Sequence, residues 1–226
     1  AEQPNHVWSY DFVEDRTQSG RKLRILTIVD EFTRRCIAIE VAHRMNAKQV
    51  AAALLKQFAR HGPPGFIRSD NGPEFVARFL MNVLKVNGVE ARHIDPGAPW
   101  QNGIDERFNG TLRAECLDLE VFLGLDHARA VIEPWRRHYN AERPHSGLGA
   151  NVTPEEFYRC WREKEKAGCA VGEFPGLSHC ASSGHGGGQE KGSGPSVLEH
   201  DRPDDPRTIH VGARVAPQQS PILRVD

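Results

Sequence analysis

The chain has 226 residues, 38% hydrophobic and 26% charged, enough to bury one good core and hardly two. The formal net charge of −1 selects no class of partner, and residues 1–166 keep the balance with 24 Lys plus Arg against 23 Asp plus Glu. No apolar run of eighteen residues occurs and the opening AEQPNHVWSY lacks a basic-then-apolar signal pattern, which argues against a membrane and for a soluble cytoplasmic protein. The five cysteines carry no C-x-x-C pair and the eleven histidines no metal-ligand spacing, so reduced thiols are expected rather than a zinc site or disulfide framework.

In chain order, VWSYDFV (7–13), LRILTIVD (23–30) and CIAIEVA (36–42) read as strands, with links short enough for antiparallel hairpins. Ala47, Val50, Ala51, Leu54, Leu55 and Phe58 then recur at helical spacing; Asn46 with Gln49 makes a capping box and Gly62-Pro63-Pro64 ends the helix. GFIRS (65–69) is a short buried strand. Pro73 is expected to open a second helix carrying Phe79, Leu80, Val83 and Leu84, closed by Gly88. VEARHI (89–94) is a fifth strand and PGAPWQNG (96–103) a Gly/Pro loop before a long helix from about Ile104 to Leu119. Helices over 126–140, capped by Asp126 and containing Pro134, and over 154–166, capped by Thr153 with Glu156, complete the ordered part. The order implies an α/β fold, a mixed five-stranded sheet with helices on both faces. Residues 1–150 form the core and 151–166 its C-terminal helix. From Ala167 the text turns Gly/Ser/Pro-rich and aperiodic, so 167–226 is expected to be a disordered tail.

Three carboxylates stand out. Asp11 occupies a strand interior, where β-propensity and burial both oppose an acid; it shares a face with Ser9 and Val13, opposite Trp8, Tyr10 and Phe12. An exposed edge position is the alternative. Asp70 ends the fourth strand, followed by Asn71-Gly72, and as a plain loop cap would need no further explanation. Glu106 lies in the first turn of the long helix, where it could simply complement the helix dipole. On a 3.6-residue period it shares a face with Asn109, Gly110, Arg113 and Leu117, while Phe108, Leu112, Cys116 and Leu119 face the sheet. If strand four lies beside strand one, the two aspartates become neighbours. Converging acids repel unless a cation sits between them, and few hard oxygen ligands suit Mg2+ or Mn2+. Two such ions can activate a water or 3′-hydroxyl and stabilise the leaving oxygen in phosphodiester displacement.

Thirty-five residues separate Asp70 from Glu106. With that gap, the blocks WSYDFVEDRT, IRSDNGPEF, PGAPWQNGIDERFNGTLRAE and WRRHYNAERPHSGLG together resemble the integrase catalytic core of bacterial insertion-sequence transposases of the second-frame (OrfB) type, which are similar to retroviral integrases. The resemblance covers about residues 5 to 157. It implies a ribonuclease-H-like fold and metal-dependent DNA cleavage and strand transfer, with Asp11, Asp70 and Glu106 as metal ligands and catalytic residues and two ions, Mg2+ or Mn2+. It makes Asn71 and Gly72 the turn after the second aspartate and Gln101, Asn102 and Gly103 part of the loop near the DNA end. The partners it implies are DNA (element ends and target), further copies of the chain on DNA, and a helix-turn-helix DNA-binding module ahead of the core; as the chain begins almost at strand one, that module is expected either in a separate subunit or in a longer protein of which this chain is a fragment. The setting it implies is the bacterial cytoplasm, at the nucleoid when on DNA.

Arg113, on the Glu106 face with planar bidentate donors, is the first candidate phosphate contact, followed by Arg107; Asn71, Gln101 and Asn102 complete the DNA-binding set. Asp15 and Asp30 read as structural, Trp100 as a loop anchor or a stacking platform, and YNAERPHSGLG as packing and turn, with Arg143 and His145 as further DNA candidates. The alternatives are a catalytically silent remnant that binds DNA or a partner transposase subunit, and a nuclease acting on hybrids, which lacks the 35-residue gap and the PWQNG loop.

Overall fold

The computed structural model describes residues 1–70, 72–93 and 103–167. Five strands, β1 (Val7–Arg16), β2 (Lys22–Asp30), β3 (Cys36–Ala42), β4 (Phe66–Ser69) and β5 (Glu90–His93), form one sheet in the order β3-β2-β1-β4-β5. The β1–β2–β3 meander is antiparallel, and β4 and β5 add parallel to β1. Each parallel addition requires a crossover, supplied by α1 (Ala47–His61) and α2 (Arg78–Val86). α3 (Gly103–Leu112), α4 (Leu125–Ala141) and α5 (Pro154–Lys166) follow.

Strand alternation divides the core into two. Trp8, Tyr10, Leu26 and Ile28 point to one face and pack against Val50, Leu54 and Phe58 of α1 and Leu80 and Leu84 of α2. Val13, Ile25, Val29 and Val41 point to the other and meet Phe108 and Leu112 of α3 and Ile132 and Tyr139 of α4. Helices therefore cover both faces, and β1 is buried between them. Capping boxes at Asn46/Gln49 and Thr153/Glu156 open α1 and α5 where the sequence places them, with Pro154 in the first turn of α5.

Three local expectations fail. The second helix begins at Arg78 rather than Pro73, because Phe75 is drawn into the core, stacking on Phe12 (5.0 Å) and edge-on to Tyr10 (4.4 Å), and Gly72–Val76 closes as a turn instead. The helix after Glu106 does not stay α-helical to Leu119: Arg113–Leu117 is a π turn, with the Asp118 N–H donating to the Arg113 carbonyl. That extra residue swings Leu117 into the core and leaves Leu119 73% exposed, reversing their expected faces. Asp126 is not a cap; it sits inside the first turn of α4, whose N-cap position is Gly124. Among the described residues no helix is long and apolar enough to cross a membrane. The Gly/Ser/Pro-rich segment, apart from Ala167, lies outside the described residues.

Two stability outcomes follow. Phe75→Ala removes a fully buried ring that bridges β1 and the turn after β4, and should cost about 3–5 kcal/mol in urea unfolding. His145 is held at a pKa of about 4 by burial and by Arg143 and Arg34. Between the ordinary value of 6.5 and about 4 the unfolded chain binds the extra proton, so stability falls as pH falls through that window, by up to about 3 kcal/mol. His145→Gln should flatten that limb when unfolding free energy is measured at several pH values.

Candidate active site

β1 pairs with β2 along its whole length but with β4 only over Val7–Ser9 against Phe66–Arg68. Ser9 is registered with Arg68, and the same register continued two residues past the end of the ladder would set Asp70 opposite Asp11. Asp11 thus lies mid-strand yet beyond the end of its parallel neighbour, which opens one side of it.

Its carboxylate is held at both oxygens. Oδ1 accepts the Phe12 N–H (2.7 Å) and Oδ2 accepts the Asn109 side-chain amide (2.9 Å), while Asn109 Oδ1 in turn accepts the hydroxyl of Thr27 (3.0 Å), buried on β2. Burial raises the Asp11 pKa, the Phe12 N–H opposes that, Asp70 raises it again, Asn109 lowers it, and Glu106 adds a final upward push. Asp11 therefore lies in the field of both other acids. Asp70 is exposed, and its Oδ1 accepts the Gly72 N–H (2.9 Å) in an Asx turn. A Cβ on Gly72 would lie 3.0 Å from that oxygen and 3.3 Å from the Phe75 ring, so a larger residue there would push the Asp70 carboxylate or the ring aside by a few tenths of an ångström.

Glu106 is exposed in the first turn of α3. The neighbouring Asp105 anchors that turn. It is fully buried and accepts a 2.7 Å hydrogen bond from Ser9 on β1, its Oδ2 has no partner, and burial pushes its pKa well above the usual carboxylate range. Neither Asp105 nor Asn109 was assigned a site role from sequence. The signal for Asp105 was present, since it shares the apolar stripe of Phe108, Leu112 and Cys116 at +3, +7 and +11, a place where an acid needs a partner.

The DNA candidates are dispersed. Arg113 is turned toward the protein, donating to the Glu14 carbonyl (2.8 Å) and reaching Asp118 (3.4 Å). Arg107 is exposed, and Asn71, Gln101 and Asn102, with Trp100, lie outside the described residues. Asp30 is fully used in the β2–β3 turn, accepting from Asn5, Phe32 and Thr33, and Asp15 accepts the Arg16 N–H.

Among the described residues no three His, Cys, Asp or Glu side chains form a ready-made metal cluster. The donors nevertheless fit a hard divalent ion that keeps most of its waters: the β1–β4 register extended past its end points Asp70 toward Asp11, and Asp11 lies in the negative field of Asp70 and Glu106, which a cation would relieve.

Two models described as "Integrase core domain" match residues 1–99 and 87–154, together spanning the sheet and helices that carry these groups. The chain belongs to the integrase core family. Among curated relatives, it is 44% identical over 171 residues to the insertion element IS407 uncharacterized 31.7 kDa protein of Burkholderia multivorans, covering 76% of this chain and 61% of that one. It is 42% identical to the insertion element IS476 uncharacterized 39.2 kDa protein of Xanthomonas euvesicatoria (77% and 50%), and 28% identical to the putative transposase InsK for insertion sequence element IS150 of Escherichia coli (70% and 56%). The chain thus spans roughly half to three-fifths of the length of these relatives. Its fold is that of the simian T-cell lymphotropic virus intasome (TM-score 0.61, 20% identity, 70% of this chain and 55% of that one) and of the HTLV-2 integrase catalytic core domain in complex with magnesium (TM-score 0.52, 20%, 69% and 97%). This insertion-sequence integrase core has the ribonuclease-H-like fold, as expected from its motif blocks.

The Ser9–Asp105 contact makes a checkable statement about how the core seats α3. Asp105→Ala should cost about 1–3 kcal/mol in urea unfolding, and a double-mutant cycle with Ser9→Ala should return a coupling on the order of 1 kcal/mol.

Proposed function

We propose that this chain is a transposase catalytic core that cleaves DNA at element ends and transfers the strand into target DNA, with Asp11, Asp70 and Glu106 as the catalytic triad. The observation that supports this reading is the field of both Asp70 and Glu106 at the Asp11 carboxylate, together with a β1–β4 register that runs toward the two aspartates. The family membership and the insertion-element relatives support the DNA substrate.

Asp11, Asp70 and Glu106 would hold two divalent ions, Mg2+ or Mn2+, which when bound supply the Lewis acidity that activates a water or 3′-hydroxyl and stabilises the leaving oxygen. The chain's own contribution is orientation. Asn109 and the Phe12 N–H fix both oxygens of Asp11, the Gly72 N–H fixes one oxygen of Asp70, and Asp105 seats the turn that presents Glu106. Action on DNA as an oligomer, in the cytoplasm at the nucleoid, completes the reading.

The deciding assay is strand transfer on terminal-repeat DNA with Mg2+ or Mn2+. Glu106→Gln should lose activity by roughly 100-fold or more while its circular dichroism and unfolding midpoint stay at wild-type values. Equal activity in the variant would reject Glu106 as a ligand, and an inactive wild type that still binds DNA would favour the silent remnant. Asn109→Ala should raise the metal concentration needed for half-maximal activity by about 10–100-fold, a shift that mere loss of folded protein does not produce.

A further inference from the structure

On the side of α3 turned away from Glu106 lies a cavity of about 760 Å³, walled by α3, the C-terminal end of α4 and residues 143–151. Its polar lining is one-sided. Arg34, Arg107, Arg143 and His145 all face it, and no Asp or Glu lines it. Arg143 is committed to Glu115, with Nη2 2.8 Å from the carboxylate and Nε 2.9 Å. Arg34 and His145 are not so served: Arg34 Nη1 and His145 Nε2 are buried without any hydrogen-bond partner. A native interior leaves few such atoms unpaired, and one on a guanidinium is the costliest kind to leave so. Arg34 is also held at φ 62° in the β2–β3 turn, a left-handed conformation that glycine or asparagine would adopt more easily, with its N–H bonded to the Asp30 carbonyl (2.9 Å). Ile104, Phe108, Tyr139 and Val29 give the wall an apolar stretch, beside the neutral polar groups of Thr111, Ser146 and Asn151.

These features specify a ligand. The unpaired guanidinium, backed by Arg107 and Arg143, calls for a phosphate; the neutral imidazole Nε2 calls for a hydroxyl or N–H donor; the apolar wall calls for a sugar or base. The size suits a compound of that kind, since sites for small molecules run to about 300–1,000 Å³. We propose that this cavity is a nucleotide pocket that takes one nucleotide of a DNA strand, its phosphodiester on Arg34 and Arg107 and its sugar or base against His145 and Tyr139. The inference rests on the DNA-processing reading above and deepens it. Ile104, Arg107, Phe108 and Thr111 line the pocket from the side of α3 turned away from Glu106, with Arg107 the lining residue nearest to it around the helix, so a strand held here is gripped across α3 from the acids rather than on them. Sequence reading placed Arg107 among DNA contacts, Arg143 and His145 behind it, and overlooked Arg34.

The same phosphate chemistry could serve a free anion, and the test separates the two. The His145 imidazole signal of the full chain is followed by NMR across pH, alone, with inorganic phosphate, and with a dinucleoside monophosphate. The dinucleotide is expected to move the His145 titration at a concentration about tenfold below that at which phosphate has any effect. Arg34→Gln should abolish the shift with an unchanged unfolding midpoint, weaken binding of a single-stranded oligonucleotide at least about tenfold, and lower the salt slope of that binding by about one. If Arg34→Gln does not fold, Arg107→Gln, on an exposed helix position, is expected to give the same loss of slope. Phosphate acting as well as the dinucleotide, no shift with either, or an intact shift in a folded arginine variant would overturn the proposal. Glu106→Gln should keep the shift, so a wild type that shows it without strand transfer refutes the catalytic reading alone, and strand transfer without the shift refutes this one alone.

Discussion

The short parallel pairing of β1 with β4 governs the rest of this molecule. It lasts three residues and stops at Ser9 and Arg68. Because it stops there, Asp11 keeps the rigidity of a strand paired to β2 while losing its neighbour on the other side, and the chain leaving β4 sets Asp70 into the gap. A longer β4 would cover Asp11 in a continuous ladder, and a register slip of one residue would turn the acid to the opposite face. The cores on the two faces resist such a slip, since Trp8, Tyr10 and Val13 would all change sides with it.

Acids so placed resist folding unless something answers them, and the structure answers part of the charge. Asn109 and Thr27 form a relay from the Asp11 carboxylate into β2, and Asp105 trades hydrogen bonding with Ser9 one turn of α3 away. α3 is thereby joined to β1 at two polar points as well as through Phe108 and Leu112. What is left unanswered, the field of Asp70 and Glu106 at Asp11, is the part a bound cation would satisfy. Stability and function oppose each other here, as they do where a fold retains local repulsion for chemistry.

Much of this was legible in the chain itself, and the misses share a cause. Strand alternation around Asp11, the capping residues Asn46 and Thr153, and the Gly62-Pro63-Pro64 stop are local signals, and the elements they define are present. The start of α2 was misread because Phe75 is claimed by Phe12 and Tyr10, residues sixty positions away in the text that no local pattern links to it. The faces of Leu117 and Leu119 were reversed because one π turn adds a residue to the helical period. Arg113 was assigned outward on the same ideal period, yet its donors reach the Glu14 carbonyl across the gap to β1. The three acids were proposed because their spacing recurs in a family; Arg34, in a hairpin turn far from the motif blocks, stands out only once the cavity around it is seen.

The central claim is that Asp11 and Asp70 share a cation. Anomalous diffraction at the manganese absorption edge, from crystals of the wild-type chain grown with Mn2+, tests it without relying on turnover. The account requires an anomalous peak within about 2.0–2.2 Å of an oxygen on each aspartate, weakened or lost in Asp70→Asn. A peak bound elsewhere, or density showing the two carboxylates turned apart with Mn2+ in excess, would contradict it.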